Sequence, residues 1–223
     1  MPASTAAPMP RPPRLPDFET GTGRPSGDLT ALDLDGRSDG LLFDSDDAAG
    51  QDLEDTVFTD CTLRRVSLMG ADLHRATFGN CRFEDLTAAA LRAPDSGWWN
   101  TVLERTRIGS AELHGASLRA VLVDGGKLDL VNLRGAKLKD VLFRSLIVDE
   151  LDLGEVQAER VAFEDCRIGM LVLNGARLKD VDLRGASLGG MAGISGVRGA
   201  TVSDLQLQDL APLLAAEAGL RVL

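Results

Sequence analysis

Residues 71–85 read ADLHR ATFGN CRFED, three units of five with a large apolar residue at each centre, Leu73, Phe78 and Phe83. A small residue, Ala71, Ala76 or Cys81, stands two places before each centre. Working outward, every position ending in 3 or 8 from Leu53 to Leu188 keeps the phase without a slip, through Leu103, Ile108, Leu113, Leu118, Val123 and Leu128 to Leu178 and Leu183. A period of five fits neither the 3.6 of a helix nor the 2 of a strand. Within a unit the two apolar positions lie two apart, as on one face of a strand, and the odd fifth residue breaks the alternation unless a corner absorbs it. The chain therefore turns at every unit, which is the pattern of a stacked solenoid with a column of like residues inside.

Units such as Ala71-Asp72-Leu73-His74-Arg75 and Val181-Asp182-Leu183-Arg184-Gly185 resemble the pentapeptide-repeat family. The resemblance covers about two thirds of the chain. It implies an all-β fold, a right-handed quadrilateral β-helix with four units per coil, closed by a C-terminal α-helical cap. The 28 units from Leu53 to Leu188 then make seven coils, a rod of about 34 Å at about 4.8 Å per coil. Centres twenty apart stack, so Phe58, Phe78 and Trp98 form one column and Phe143 lies against Phe163; these fill the bore. Between Leu86 and Trp98 large and small residues change places, and Pro94, Asp95 and Gly97 suggest a bulge or short loop.

Four segments follow. Residues 1–26 hold Pro10, Pro12, Pro13 and Pro16 beside Arg11 and Arg14 and read as a flexible Pro-rich tail, the alternative being a ligand for a groove-type partner. Residues 27–50 are acidic and irregular and read as an N-terminal cap. Residues 51–200 are the repeat body. Residues 201–223 open with Ser203 and Gln206 as a capping box, carry Leu205, Leu210, Leu213 and Leu214 as an apolar stripe, and reach Gly219 as a helix stop before Leu220–Leu223, a candidate edge strand. The resemblance implies that this helix also builds a homodimer through the C-terminal end.

Composition narrows the function class. The chain is 44% hydrophobic with 4% aromatic residues and no Tyr, which suits a narrow bore. No apolar run approaches 18 residues and no basic start leads an apolar core, so we expect a cytoplasmic protein with no membrane partner. Cys61, Cys81 and Cys166 occupy small buried positions, and the two histidines stand apart, so no metal, cofactor or catalytic constellation is expected. The protein is expected to be a non-enzyme. Its net charge of −10 lies half in residues 1–50, where nine acidic residues face four basic ones; residues 51–200 carry 22 against 19. One face gathers Asp52, Asp72, Glu112, Asp152 and Glu155, and a second line runs through Glu84, Glu104, Asp124 and Glu164. Members of the Qnr and MfpA type resemble DNA in shape and charge and bind type II topoisomerases. The resemblance therefore implies a DNA mimic that binds DNA gyrase and protects it from topoisomerase poisons, without contacting nucleic acid itself. The alternative is a protein interaction scaffold, for which Leu122 and Leu142, outward and one coil apart, are the candidate patch.

Overall fold

The structure, a computed structural model, describes residues 9–18, 23–32 and 36–221. The five-residue pattern closes into a right-handed β-solenoid of about eight turns followed by an α-helix. Every strand pairing is parallel with a twenty-residue offset through the regular coils, so that Arg37, Val57, Thr77, Gly97, Ser117, Lys137, Gln157 and Arg177 stand in one line. The extra residue of each unit goes into the corner. Positions ending in 0 or 5 take positive φ in most units, at Asp55, Arg75, Asp95, Arg105, Asp140, Glu155 and Arg160 as well as at glycines such as Gly115 and Gly135.

Eight turns rather than seven arise because the repeat begins before Gln51. Arg37–Asp39 pairs with Val57–Thr59, and Leu42–Asp44 with Thr62–Arg64. Ser38, Phe43 and Ala48 keep the phase and are buried; the polar Ser38 at a centre conceals the coil from a search for apolar residues. Most of the segment expected as a cap is thus the first coil, although Asp33, Leu34 and Asp35 lie outside the described residues. Leu29 covers it, buried on the 3-10 turn Leu29–Ala31, which Asp28 caps. Pro25 and Gly27 extend the sheet by bonding both polar groups of Leu42.

The bore is filled as expected. Ring centroids of Phe58 and Phe78 lie 5.2 Å apart, Phe78 and Trp98 4.3 Å, and Phe143 and Phe163 5.0 Å. The irregular coil, however, makes no bulge. Leu86 and Leu91 fill the bore from the small position while Ala88 and Ala93 stay buried, and Gly97 remains registered with Thr77. Pro94 fits because its position has no ladder N–H to lose: in equivalent units that N–H donates to an Asp two residues earlier, as at Glu54, His74 and Gly154.

At the far end, helix α1 (Asp204–Glu217) starts on a full capping box, Gln206 N–H donating to Ser203 Oγ at 3.2 Å and Ser203 N–H to Gln206 Oε1 at 2.8 Å. The expected stripe divides. Leu210 is buried and Leu214 packs on the core, while Leu205 and Leu213 face outward. The residue that replaces them is polar: Gln206 Nε2 donates to the carbonyls of Leu183 and Ala186, both at 2.7 Å, the second an acceptor that a further coil would have used, as Gln157 N–H uses Ala136. Leu220 and Arg221 form no strand, and Val222 and Leu223 lie outside the described residues.

Residues 9–18 differ from the flexible tail expected of them. They lie along the rod, because Leu15 and Phe18 pack on Val102, Leu122 and Leu142 and because Asp140 and Asp180 bond to Arg14 and Arg11. The rest of that expectation concerns residues 1–8 and 19–22, outside the described residues.

Candidate interaction faces

A solenoid places residues twenty apart in one row, so the charges of each face are set by the sequence at that offset. Asp52, Asp72, Arg92, Glu112, Asn132 and Asp152 form a single row, with Glu155 at the next corner. Arg92 and Asn132 interrupt the acidic series. Its carboxylates are also partly used by the fold: Asp52, Asp72 and Asp152 each accept the N–H two residues on, at 3.1, 3.0 and 2.7 Å. Arg134 spans Asp152 at 2.9 Å and Glu155 at 3.2 Å, and Arg92 approaches Glu112 at 4.0 Å.

The second line is built likewise. Glu84, Glu104 and Asp124 follow one another in three successive coils between Arg64 and Arg144, and Glu164 is registered with Arg144. Arg82 reaches Glu84 at 3.2 Å and Glu104 at 3.1 Å, and Arg144 grips Asp124 at 2.6 and 3.0 Å. The Arg144 hydrogen bond, against some desolvation, holds the Asp124 carboxyl below the usual carboxylate range. These arginines are the residues that face-by-face charge counting misses. The signal is present in the sequence as opposite charges twenty apart: Asp55 with Arg75, Asp85 with Arg105, Asp124 with Arg144, Asp140 with Arg160 and Glu159 with Lys179.

Leu122 and Leu142, the expected exposed patch, are buried beneath residues 15–18. A different apolar ridge is open. Leu130, Ile147 and Met170 are 51, 45 and 39% exposed; Leu130 and Met170 flank Glu150 in one row, and Ile147 stands between Lys127 and Arg167 in a second row, with the exposed Asp129 and Asp149 in the outward row between the two. These three apolar side chains are interleaved with charged ones, Glu150 within one row and Asp149 between the rows, a mixed surface of the kind protein interfaces use.

Among the described residues no group of three or more His, Cys, Asp or Glu side chains could hold a metal ion. His74 sits between Glu54 at 3.1 Å and Asp95 at 3.5 Å. The three cysteines are free and buried. Cys61 donates to the carbonyl of Thr59 and Cys81 to that of Gly79, and its contact with Cys61 together with burial pushes the Cys81 thiol up. No helix among the described residues is long and apolar enough to cross a membrane.

The family model described as Pentapeptide repeats (8 copies) matches residues 52–85. No curated protein sequence matches the chain. Among solved structures, the full-length QnrB1, a plasmid-mediated fluoroquinolone resistance protein, is 16% identical with a TM-score of 0.36, over 80% of this chain and 99% of that one. HetL, a pentapeptide repeat protein involved in heterocyst differentiation regulation from the cyanobacterium Nostoc sp. strain PCC 7120, is 15% identical with a TM-score of 0.27, over 74% of this chain and 91% of that one. Superpositions this loose carry no functional argument.

Proposed function

Because the chain belongs to the pentapeptide-repeat proteins, whose fold fits non-enzymatic protein binding, we propose that it is a cytoplasmic docking rod that engages a protein partner through the ridge of Leu130, Ile147 and Met170. The observation that carries this reading is the ridge itself: three large apolar side chains left open on two nearby rows, while the carboxylates of Asp152 and Asp124 on the flanking rows are engaged by arginine. Buried at the centre of an interface, such residues contribute by leaving water, and the surrounding charges set orientation. A photo-crosslinking side chain at position 147, introduced in the source cell, is expected to give one dominant adduct that Leu130→Glu with Met170→Glu abolishes. A spread of weak adducts unchanged in that variant would remove the ridge from consideration.

A second reading is favoured by Glu84, Glu104 and Asp124, carboxylates in three successive coils at a spacing of about 4.8 Å. On this reading the rod addresses the basic DNA-binding surface of DNA gyrase or another type II topoisomerase. Its association would then be fast and strongly salt-dependent. At the C-terminal end, Leu205 and Leu213 border an open cleft of about 730 Å³ with Leu188 and Met191. We assign this end to a homodimer contact. Sedimentation equilibrium is expected to give a dimer that Leu205→Glu with Leu213→Glu converts to a monomer; a monomer in the unaltered chain would refute it.

A further inference from the structure

Residues 9–18 read MPRPPRLPDF. Pro10, Pro12, Pro13 and Pro16 each fix φ and hold the preceding residue extended, which keeps the segment near polyproline II, with three residues and about 9.3 Å per turn. Groups three residues apart then share an edge. On one edge are Arg11 and Arg14. Arg11 donates its N–H to Asp180 Oδ1 at 3.3 Å and its Nε–H to Oδ2 at 2.8 Å, and Arg14 donates its N–H to Asp140 Oδ1 at 2.9 Å. Asp140 and Asp180 are two coils apart, about 9.6 Å at the usual strand spacing. One turn of the strap therefore equals two steps of the solenoid, with a carboxylate at either end and Arg160 at the step between.

On the other edge, Leu15 and Phe18, again three apart, pack on Val102, Leu122 and Leu142, which form an apolar column separate from the bore. Both carboxylates stand at corners with positive φ, at 59° for Asp140 and 54° for Asp180, so they project from the edge of the groove. Asp140 is fixed further by Arg160, which bonds both its oxygens at 2.6 and 2.7 Å. The site is thus built by the coils and meets the strap with ready-made partners. Its fit is incomplete: a cavity of about 270 Å³ remains between Pro16, Asp17 and Phe18 and the side chains of Asn80, Asn100 and Val102.

None of these contacts requires that the ligand be joined to the rod. We propose that this groove is a docking site for an extended proline-rich segment of a partner protein, carrying Arg at i, a residue with a free backbone N–H at i+3, and apolar residues at i+4 and i+7. Residues 9–18 are its resident ligand in cis. The tether, rather than intimate packing, keeps the strap in place, and a partner segment of the same pattern replaces it. This site is distinct from the ridge of Leu130, Ile147 and Met170, so it stands or falls separately from the proposed function.

The test uses the full chain with Arg11→Glu, Leu15→Asp and Phe18→Asp, which unseats the strap and alters no coil residue. The probe is a fluorescent peptide of residues 9–18, followed by anisotropy. We expect saturable binding to this variant and at least tenfold weaker apparent binding to the unaltered chain, because a short tether supplies an effective concentration on the order of 1 mM. Adding Asp180→Lys to the unseated chain is expected to weaken the probe about tenfold and to favour a peptide carrying Arg11→Glu. A scrambled peptide that binds as well as the probe would overturn the proposal. So would absence of binding while circular dichroism shows intact coils. Dimers formed by the unaltered chain and lost in the strap variant would assign the groove to a second copy and refute the cis ligand.

Discussion

Gly125 and Gly126 occupy the same corner yet answer to different constraints. Gly125 has φ 70° and open space where a Cβ would go, whereas Gly126 has φ 130° and would place a Cβ 2.1 Å from the carbonyl oxygen of Thr106. Asn tolerates the first conformation, but only glycine adopts the second readily. Gly125→Asn is therefore expected to leave the melting temperature nearly unchanged, and Gly126→Ala to cost at least about 2 kcal/mol in urea denaturation. Ion pairs at the twenty-residue offset divide in the same manner. Asp140 and Arg160 are 9 and 7% exposed in their side chains, against 62 and 46% for Asp55 and Arg75. Asp140→Ala leaves the nearly covered Arg160 guanidinium with Glu159 as its remaining partner and is expected to cost about 2 kcal/mol, less than the roughly 3–5 typical of a buried charge left with none. Asp55→Ala should cause no measurable loss. The corners and centres were legible in the sequence because each unit repeats them. The pairing of charges is less legible, because a sum of charge along a face does not show which opposite charges twenty apart bond to each other.

At the scale of elements, the two ends and the strap depend on single polar groups. Gln206 satisfies two carbonyls of the last coil and half of the capping box at once. Gln206→Leu keeps the volume and removes all three bonds, with an expected loss of about 2–3 kcal/mol. Hydrogen exchange should accelerate in α1 and leave the coils around Phe58 and Phe78 protected. Apolar periodicity found the helix and its cap but ranked Leu205 and Leu213 above Gln206, because a buried glutamine has no signature apart from the acceptors that await it. The strap has a pH signature. The Arg160 hydrogen bond, opposed by desolvation and aided by the Arg14 N–H, lowers the Asp140 pKa. A lowered carboxyl pKa contributes in full above the unfolded value, about 3.9, and its contribution is lost as pH falls through the folded value. The Arg14 amide resonance should hold its position from pH 7 to pH 5 and move only below about pH 4. Movement near pH 6 would mean that another group governs the strap. Proline content suggested an unattached tail because the partners of Arg11 and Arg14 lie 169 and 126 residues away, beyond the reach of local sequence patterns.

For the whole molecule, eight turns of paired backbone make a rod whose interior is committed to stacking and whose only freedom is in its rows of outward side chains. Shape was therefore legible from the repeat, and recognition was not, because the same repeat tolerates almost any residue outside. The rows show a body of nearly balanced charge, 22 acidic against 19 basic residues between positions 51 and 200, with arginines placed on the acidic lines. On the proposed function these carboxylates mainly bind their own rod, and an apolar ridge meets the partner. Supercoiling by gyrase from the source cell, with and without a quinolone, titrated with the purified protein at low and raised salt, tests this most directly. We expect neither inhibition nor protection that weakens as salt rises. Inhibition or protection at low micromolar protein, weakened by salt and lost when Asp72, Glu112 and Asp152 are all changed to Lys, would contradict it and establish the acidic face as the binding surface.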